Sequence, residues 1–157
     1  DFGFVFQSYN LIEALNAEQN VLLPTLFTRL PLDRQDARRA LVDVNLAGLE
    51  RRYPDQLSGG QRQRVAIARA MAVRRKVLFA DEPTGALDTD SGAAVMADLA
   101  RLPETGTAVL VVTHDPVVAA YASRVLFLRD GLVVDTVTGA SAGDLATRIA
   151  SLRGAAA

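Results

Sequence analysis

The fold of this chain is restricted above all by three short apolar runs. They are Phe2–Phe6, Val77–Ala80 and Thr107–Val112. Each run has the length of a strand, and continuous apolar runs of this kind are typical of strands buried on both faces of a parallel sheet. Helical stretches separate the runs, so the sequence predicts an α/β layered fold.

Polar residues suited to a phosphate and metal site follow each predicted strand. Gln7 follows the first strand, Asp81 and Glu82 follow the second, and His114 follows the third. Ligands of open α/β sheets bind at the carboxyl ends of the parallel strands. Because three separate strands deliver such groups, we expect the side chains to meet at one edge of the sheet.

A candidate anion-binding segment lies at Leu57–Gln61, where the sequence LSGGQ runs directly into the helical stretch Arg62–Arg75. The serine can cap a helix, and the two glycines after it expose backbone N–H groups in the first turn. Glycine also lets the backbone approach a phosphate without an intervening side chain. The candidate residues are therefore Ser58, Gly59, Gly60 and Gln61.

The remaining sequence is predicted to be mainly helical before LSGGQ and mixed after it. Residues Asn16–Arg52 favour helix with an interruption around Pro31, and Asp36–Leu49 fits an amphipathic helix whose end is weakened by Asn45 and Gly48. The later predicted elements are helices at Thr89–Arg101, Pro116–Ala122 and Gly143–Leu152, and a hairpin of Arg124–Leu128 and Leu132–Val137 around an Asp-Gly turn.

Composition narrows the classes of function. The chain has 157 residues, half of them apolar, which suffices for one domain with a buried core. A net charge of −1 gives no electrostatic case for binding nucleic acid. The lack of cysteine excludes disulfides, thiolate zinc sites and cysteine nucleophiles. No apolar run approaches the roughly 18–20 residues of a membrane-spanning helix, so a membrane connection is expected to come through a partner.

Two motifs together resemble those of the ABC ATPases. LSGGQ at Leu57–Gln61 resembles their signature motif, and VLFADEP at Val77–Pro83 resembles their Walker B strand. Gln7 resembles the glutamine of the Q-loop, Asp88 the aspartate of the D-loop, and His114 the switch histidine. The motifs occur in the order that the family has, and the resemblance covers all but the two ends of the chain.

The resemblance implies a P-loop NTPase-type (RecA-like) parallel sheet core with an inserted α-helical subdomain. It implies that residues 1–7 form a core strand and the Q-loop, residues 8–58 a mainly helical subdomain, and residues 59–157 the signature helix and the rest of the core. A P-loop of the form G-x-x-x-x-G-K-[ST] is absent, because Lys76 is the only lysine and an arginine precedes it. We therefore expect an N-terminally truncated nucleotide-binding domain that is inactive alone.

The resemblance also implies catalytic roles in ATP hydrolysis with Mg²⁺ as cofactor. Asp81 and Gln7 would bind Mg²⁺, and Glu82 would act as the general base towards the attacking water. His114 would contact the γ-phosphate. From the residues alone, the alternatives are two carboxylates that cap a turn before Pro83 and a histidine with a structural role.

Further implications concern the nucleotide and the partners. The family forms head-to-tail dimers, in which the signature of one subunit would bind the ATP held by the other. Asp88 would lie at the subunit boundary, with an N-cap for the helix near Thr89 as the alternative role. The implied partners are a second ATP-binding subunit, identical or paralogous, and transmembrane permease subunits. These would hold the protein in the cytoplasm, peripherally at the inner face of the membrane.

The subfamily and the kind of work are narrower predictions. Segments such as Gly3–Gln7 and Ala80–Gly85 resemble the branch of macrolide exporters, lipoprotein-release systems and the cell-division ABC complex. The alternative is an ABC-type ATPase in non-transport mechanical work, such as cell division or DNA repair. The stretch between Gln7 and Ser58 is too short for the coiled-coil arm of repair and chromosome proteins, which favours transport.

Overall fold

The computed structural model describes residues 2–27, 32–73 and 75–154 of the chain. The chain divides into two compact units, Asp1–Val112 and Thr113–Ala157. The interruption predicted around Pro31 lies outside the described residues.

The described residues alternate between strands and helices, as the sequence predicts. The strands are β1 (Phe2–Val5), β2 (Val77–Asp81), β3 (Ala108–Val112), β4 (Arg124–Arg129) and β5 (Leu132–Thr138). The α-helices are α1 (Ala17–Leu22), α2 (Arg34–Asp43), α3 (Gly59–Ala72), α4 (Thr89–Arg101), α5 (Pro116–Ala119) and α6 (Ala142–Gly154). Short 3₁₀ turns lie at Leu23–Leu26, Pro54–Gln56 and Leu102–Thr105. In the part of the chain that the structure describes, no helix is both long enough and apolar enough to span a bilayer.

A three-stranded parallel sheet forms the centre of the first unit. β2 lies between β1 and β3, and Ala80 is in register with Val5 on one side and Val111 on the other. The prediction of three parallel strands is therefore confirmed. Because the register is even, the three strands end side by side at one edge of the sheet.

The two faces of this sheet differ in burial, although the sequence predicts strands buried on both faces. Val5 and Leu78 lie on the face that packs against α3, and each is 1% exposed. On the other face Phe4 is 54% exposed and Leu110 is 46% exposed. The rings of Phe4 and Phe79 stack on each other there, with centroids 5.2 Å apart. The prediction is wrong for this second face, because α3 covers the sheet on one side only.

Helices α1, α2 and α3 pack together as the helical part of the first unit. Glu18 of α1 accepts a hydrogen bond from Arg38 of α2 at 2.8 Å, which joins these two helices. Helix α2 ends before the predicted Leu49, because Asn45 and Gly48 adopt left-handed backbone with φ of 58° and 83°.

The second unit consists of the β4–β5 hairpin with α5 and α6. Asp130 and Gly131 form the tight turn with φ of 52° and 79°, which matches the predicted Asp-Gly hairpin. Arg148 of α6 donates a hydrogen bond to Asp135 of β5, so the helix is tied to the hairpin. Leu145 of the same helix is buried.

Candidate active site

The carboxyl edge of the parallel sheet carries three of the residues predicted from the sequence. Asp81 is the last residue of β2, and Glu82 follows it directly. Gln7 follows the neighbouring β1 after one intervening residue, Phe6. The side chains of Asp81 and Gln7 are exposed, whereas Glu82 is half-buried. Two adjacent strands thus bring an amide and two carboxylates to one edge of the first unit.

The backbone at Glu82 leaves the strand abruptly. Its φ is 42°, in the left-handed region that residues other than glycine seldom adopt. The conformation is fixed by two hydrogen bonds, from Glu82 N–H to the Val112 carbonyl at 2.9 Å and from Gly85 N–H to the Glu82 carbonyl at 3.1 Å. Such a backbone costs about 1–2 kcal/mol. The chain therefore changes direction at Glu82, directly after β2 ends at Asp81.

Gln7 packs onto the loop that follows Glu82. A Cβ atom added to Gly85 would lie 2.8 Å from Gln7 Nε2, closer than real Cβ atoms approach a neighbour. Only glycine therefore leaves room for the amide at this point. The contact places the Gln7 side chain beside Gly85, three residues after Glu82, and its convergence with the two carboxylates on one metal stays a prediction.

The LSGGQ segment forms a capped helix N-terminus, as predicted. The Ser58 hydroxyl accepts a hydrogen bond from Gln61 N–H at 3.2 Å, and the Gln61 side chain accepts one from Ser58 N–H at 2.9 Å. This capping box satisfies two of the amides at the start of α3. Among the described residues, the N–H groups of Gly59 and Gly60 have no hydrogen-bond partner. These two amides are available to an anion at the positive end of the helix dipole.

Both glycines of this segment also lie in close packing, which is tightest at Gly60. A Cβ atom on Gly60 would lie 2.8 Å from Ser91 Oγ in the first turn of α4, and one on Gly59 would lie 3.1 Å from the Tyr9 hydroxyl. The start of α3 is therefore pressed against the start of α4 and against the loop that follows β1. Sequence reasoning explained these glycines only by access to phosphate and missed this contact.

Asp88 caps the N-terminus of α4. Its carboxylate accepts a hydrogen bond from Ser91 N–H at 2.9 Å. This hydrogen bond lowers the pKa of Asp88 below its ordinary value. The capping role proposed from the sequence is confirmed, and the role at a subunit boundary stays a prediction. Asp88 is exposed, so its carboxylate is accessible from outside the first unit.

His114 lies in the second unit, in the turn between β3 and α5. Thr113 Oγ1 accepts a hydrogen bond from Asp115 N–H at 3.1 Å, and Asp115 caps α5 by accepting one from Val117 N–H at 2.8 Å. The histidine is exposed between these two anchored residues. Its position beside Glu82 stays a prediction.

The donor atoms at the sheet edge fit Mg²⁺. In residues 2–27, 32–73 and 75–154, no three acidic or histidine side chains converge on one point. Mg²⁺ prefers oxygen ligands and is often held by one or two carboxylates together with substrate phosphates and water. The Asp81 carboxylate and the Gln7 amide oxygen supply donors of this kind.

Two residues that sequence reasoning did not single out connect these loops. Arg69 of α3 donates hydrogen bonds to the carbonyls of Tyr9 and Asn10. The Tyr9 ring lies 5.5 Å from the guanidinium of Arg62. No spacing in the sequence indicates these contacts, because the arginines of α3 resemble those of an ordinary solvated helix.

Comparison with known proteins places these motifs in a family. The family model described as ABC transporter matches residues 1–85, more than half of the 157 residues. The chain is 50% identical over 135 residues to the macrolide export ATP-binding/permease protein MacB of Neisseria gonorrhoeae. It is 52% identical over 136 residues to the MacB protein of Escherichia coli strain K12. Each match covers 85% of this chain and 21% of the relative, so the chain spans about a fifth of these curated proteins.

Solved structures agree in fold and in sequence. The dimeric post-hydrolysis structure of the ATP-binding cassette MJ0796 with ADP and Pi superposes with a TM-score of 0.77 at 42% identity, over 90% of this chain and 64% of that one. A second dimeric structure of MJ0796, a bacterial ABC transporter cassette, gives a TM-score of 0.76 at 43% identity, over 88% of this chain and 63% of that one. The predicted P-loop NTPase fold and the similarity to macrolide exporters are both confirmed. The chain belongs to the ABC transporter ATPase family.

Proposed function

We propose that this chain supplies the hydrolytic residues and the signature motif of an ATP-hydrolysing subunit of an ABC transporter. The proposal rests on one observation: Gln7 packs on Gly85, in the loop that begins with Asp81 and Glu82. An amide and two carboxylates at the carboxyl edge of a parallel sheet suit phosphate and metal chemistry.

Each residue of this edge has a distinct role in the proposal. The Asp81 carboxylate and the Gln7 amide hold Mg²⁺, which supplies neutralisation of phosphate charge when bound. Glu82 accepts the proton of the attacking water, for which its left-handed backbone turns it away from the line of β2. His114 contacts the γ-phosphate from the start of the second unit.

The signature residues act on a nucleotide held by a second subunit. The N–H groups of Gly59 and Gly60 and the dipole of α3 stabilise negative charge, and Ser58 and Gln61 keep this turn in place through the capping box. In the proposed assembly Asp88, which caps α4, faces the boundary between the subunits. The proposed assembly is a head-to-tail dimer with two ATP molecules, and support comes from relatives whose structures are described as dimeric.

The proposed work is transport. The MacB relatives are ATP-binding/permease proteins, and this chain aligns with a fifth of their length. We infer that ATP binding closes the dimer, that hydrolysis opens it, and that the motion reaches permease subunits or domains in the membrane. The ATPase would then lie in the cytoplasm at the inner face of that membrane.

Substitution of the proposed general base tests the function. In a parent protein that joins a P-loop to these residues, as expected from the sequence, Glu82→Gln is expected to reduce kcat for ATP about 100-fold or more and to leave ATP affinity within a few-fold. The matched control is Glu104→Gln, at an exposed acidic residue of the 3₁₀ turn after α4. Unchanged turnover in Glu82→Gln, or an equal loss in Glu104→Gln, would contradict the proposal.

A further inference from the structure

The loop that follows Gln7 is held in an unusual backbone conformation. Tyr9 and Asn10 have φ of 59° and 49°, so two consecutive non-glycine residues lie in the left-handed region. Asparagine adopts this region more readily than most residues, but it is unfavourable for Tyr9 and persists there only where surrounding contacts determine it. The local hydrogen bonds are those from Tyr9 N–H to the Phe6 carbonyl at 3.2 Å, from Asn10 N–H to the Ser8 carbonyl at 2.6 Å and from the Ser8 hydroxyl to Asn10 Oδ1 at 2.9 Å.

The contacts that hold this loop come from α3. Arg69 Nη1 donates to the Asn10 carbonyl at 2.5 Å, and Arg69 Nη2 donates to the Tyr9 carbonyl at 2.9 Å. One planar guanidinium therefore joins two successive carbonyl groups. Hydrogen bonds from a charged donor are stronger than neutral ones, and a lysine cannot reproduce the fork geometry.

Arg69 is partly buried, and its partners are carbonyl groups. Burial lowers the pKa of the guanidinium. Among the described residues, no carboxylate pairs with it. The two carbonyls of the loop are consequently what compensates the desolvated charge, so the arginine and the loop depend on each other.

Tyr9 extends the connection to two further parts of the proposed site. Its hydroxyl lies near Gly59, where an added Cβ atom would approach it to 3.1 Å, and it donates to the Ala86 carbonyl at 3.5 Å. Its ring lies 5.5 Å from the guanidinium of Arg62. Tyr9 thus touches the first turn of α3, and it also touches the loop that runs from Gly85 to Asp88.

We propose that Arg69 and Tyr9 are positioning residues that fix Gln7 relative to the start of α3 and the Gly85–Asp88 loop. The inference rests on the proposed function, in which Gln7 binds Mg²⁺ and Gly59 and Gly60 bind nucleotide. Gln7 is two residues before Tyr9. If the loop at Tyr9 and Asn10 is released, we expect the Gln7 side chain to lose its packing against Gly85. The metal ligand and the anion-binding amides are in this way positioned by one set of contacts.

Arg69 variants of the parent ATPase test this role. We expect Arg69→Met and Arg69→Lys to lower kcat about 10- to 100-fold and to raise the half-activating Mg²⁺ concentration several-fold. The melting temperature of Arg69→Lys should stay close to that of the wild type. Tyr9→Phe, which loses the hydroxyl contact to the Ala86 carbonyl, should show a smaller change in the same direction, and Tyr9→Leu, which also loses the ring, should resemble Arg69→Met. Hydrogen exchange of the segment containing Tyr9 and Asn10 should be about tenfold faster in Arg69→Met.

The matched control is Arg64→Met. Arg64 lies on the same helix, is also partly buried, and pairs with Asp98 of α4 at 3.6 Å, away from the loop after Gln7. We expect this variant to lower the melting temperature and to leave the Mg²⁺ dependence and the exchange of the loop unchanged. Wild-type Mg²⁺ dependence and exchange in Arg69→Met would overturn the proposal, as would equal changes in Arg64→Met.

The two proposals fail in distinguishable ways. If the wild-type parent hydrolyses no ATP, the proposed function is wrong, and the exchange measurement still decides whether Arg69 holds the loop. If the parent hydrolyses ATP and Arg69→Met has normal Mg²⁺ dependence, the positioning role alone is wrong.

Discussion

Two close contacts near the proposed site depend on glycine residues, which have no Cβ atom. At Gly85 the absence of a Cβ atom makes room for the Gln7 amide, and at Gly60 it makes room for Ser91. The two sites differ in what a methyl group would displace. At Gly85 it would meet the far end of a flexible side chain, whereas at Gly60 it would meet both the Cβ and the hydroxyl of a short one.

Gly85→Ala is therefore predicted to separate folding from activity. The added methyl group pushes Gln7 off the loop without moving backbone, so we expect a melting temperature close to wild type and a kcat about 10- to 100-fold lower in the parent ATPase. Gly92→Ala is the control. Gly92 lies inside α4, and its added Cβ would lie at an ordinary 3.5 Å from the Thr84 side chain. Full activity in Gly85→Ala would show that Gln7 has no role in turnover.

The residue patterns predicted capping and strand ends but not the contacts between loops. Ser58 and Asp88 cap the helices that the sequence assigned to them, because capping is local and involves residues three positions apart. The bonds from Arg69 to Tyr9 and Asn10 join residues about sixty positions apart. No local sequence pattern encodes such a pair, so the sequence does not predict these hydrogen bonds.

Between elements, α3 and α4 are joined by a buried ion pair. Arg64 Nε lies 3.6 Å from Asp98 Oδ2, and the Asp98 side chain is 7% exposed. Among the described residues, this carboxylate oxygen has no hydrogen bond. Burial raises the pKa of Asp98 above its ordinary value, while Arg64 and Arg101 lower it by less.

The raised pKa predicts a pH dependence of stability. The folded state binds a proton at Asp98 more tightly than the unfolded chain does, so this contribution is fully present below the ordinary pKa of 3.8 and is lost as the pH rises through the raised pKa. Asp98→Asn should lack this loss. We expect its free energy of unfolding, measured with urea between pH 3.5 and 7, to gain on the wild type as the pH rises.

The control for this measurement is Asp90→Asn, an exposed acidic residue in the first turn of the same helix. A difference between Asp98→Asn and wild type that does not change with pH would contradict the prediction. So would the same pH trend in Asp90→Asn.

For the helices and strands, the sequence predicted the type of each element better than it predicted where the element ends and which of its faces are buried. The apolar runs predicted three parallel strands correctly, since continuous apolar runs report directly on strands in a sheet core. The same runs predicted burial on both faces, and the exposure of Phe4 and Leu110 shows that this does not follow. Burial depends on which other elements cover a face, and that information is not local.

At the scale of the whole molecule, the residues assigned to catalysis in the proposal occur in both units, and the proposed nucleotide sites are shared by two subunits. Gln7, Asp81 and Glu82 belong to the first unit, and His114 belongs to the second. The placement of His114 relative to Glu82 stays a prediction, because it depends on an arrangement that strand and helix patterns do not encode. The phosphate-binding lysine of a P-loop is not among the 157 residues.

The 157 residues alone are accordingly predicted not to hydrolyse ATP, whereas the parent protein does. Without the P-loop lysine and amides, the chain lacks the groups that cradle the β- and γ-phosphates. Phosphate release should stay at the level of a Glu82→Gln control for the chain and exceed it for the parent. Turnover by the chain above that control, or its absence in the parent, would refute this account.

The left-handed backbone at Glu82 lowers the stability of the fold at the residue that the proposal needs for catalysis. A carboxylate at this position requires a conformation that glycine adopts more readily, with φ of 42°. Of two substitutions that both delete the acid, glycine is therefore expected to be tolerated better than alanine. A more stable fold would thus favour glycine over the carboxylate that activates water in the proposal, so stability and the proposed chemistry make opposite demands on this position.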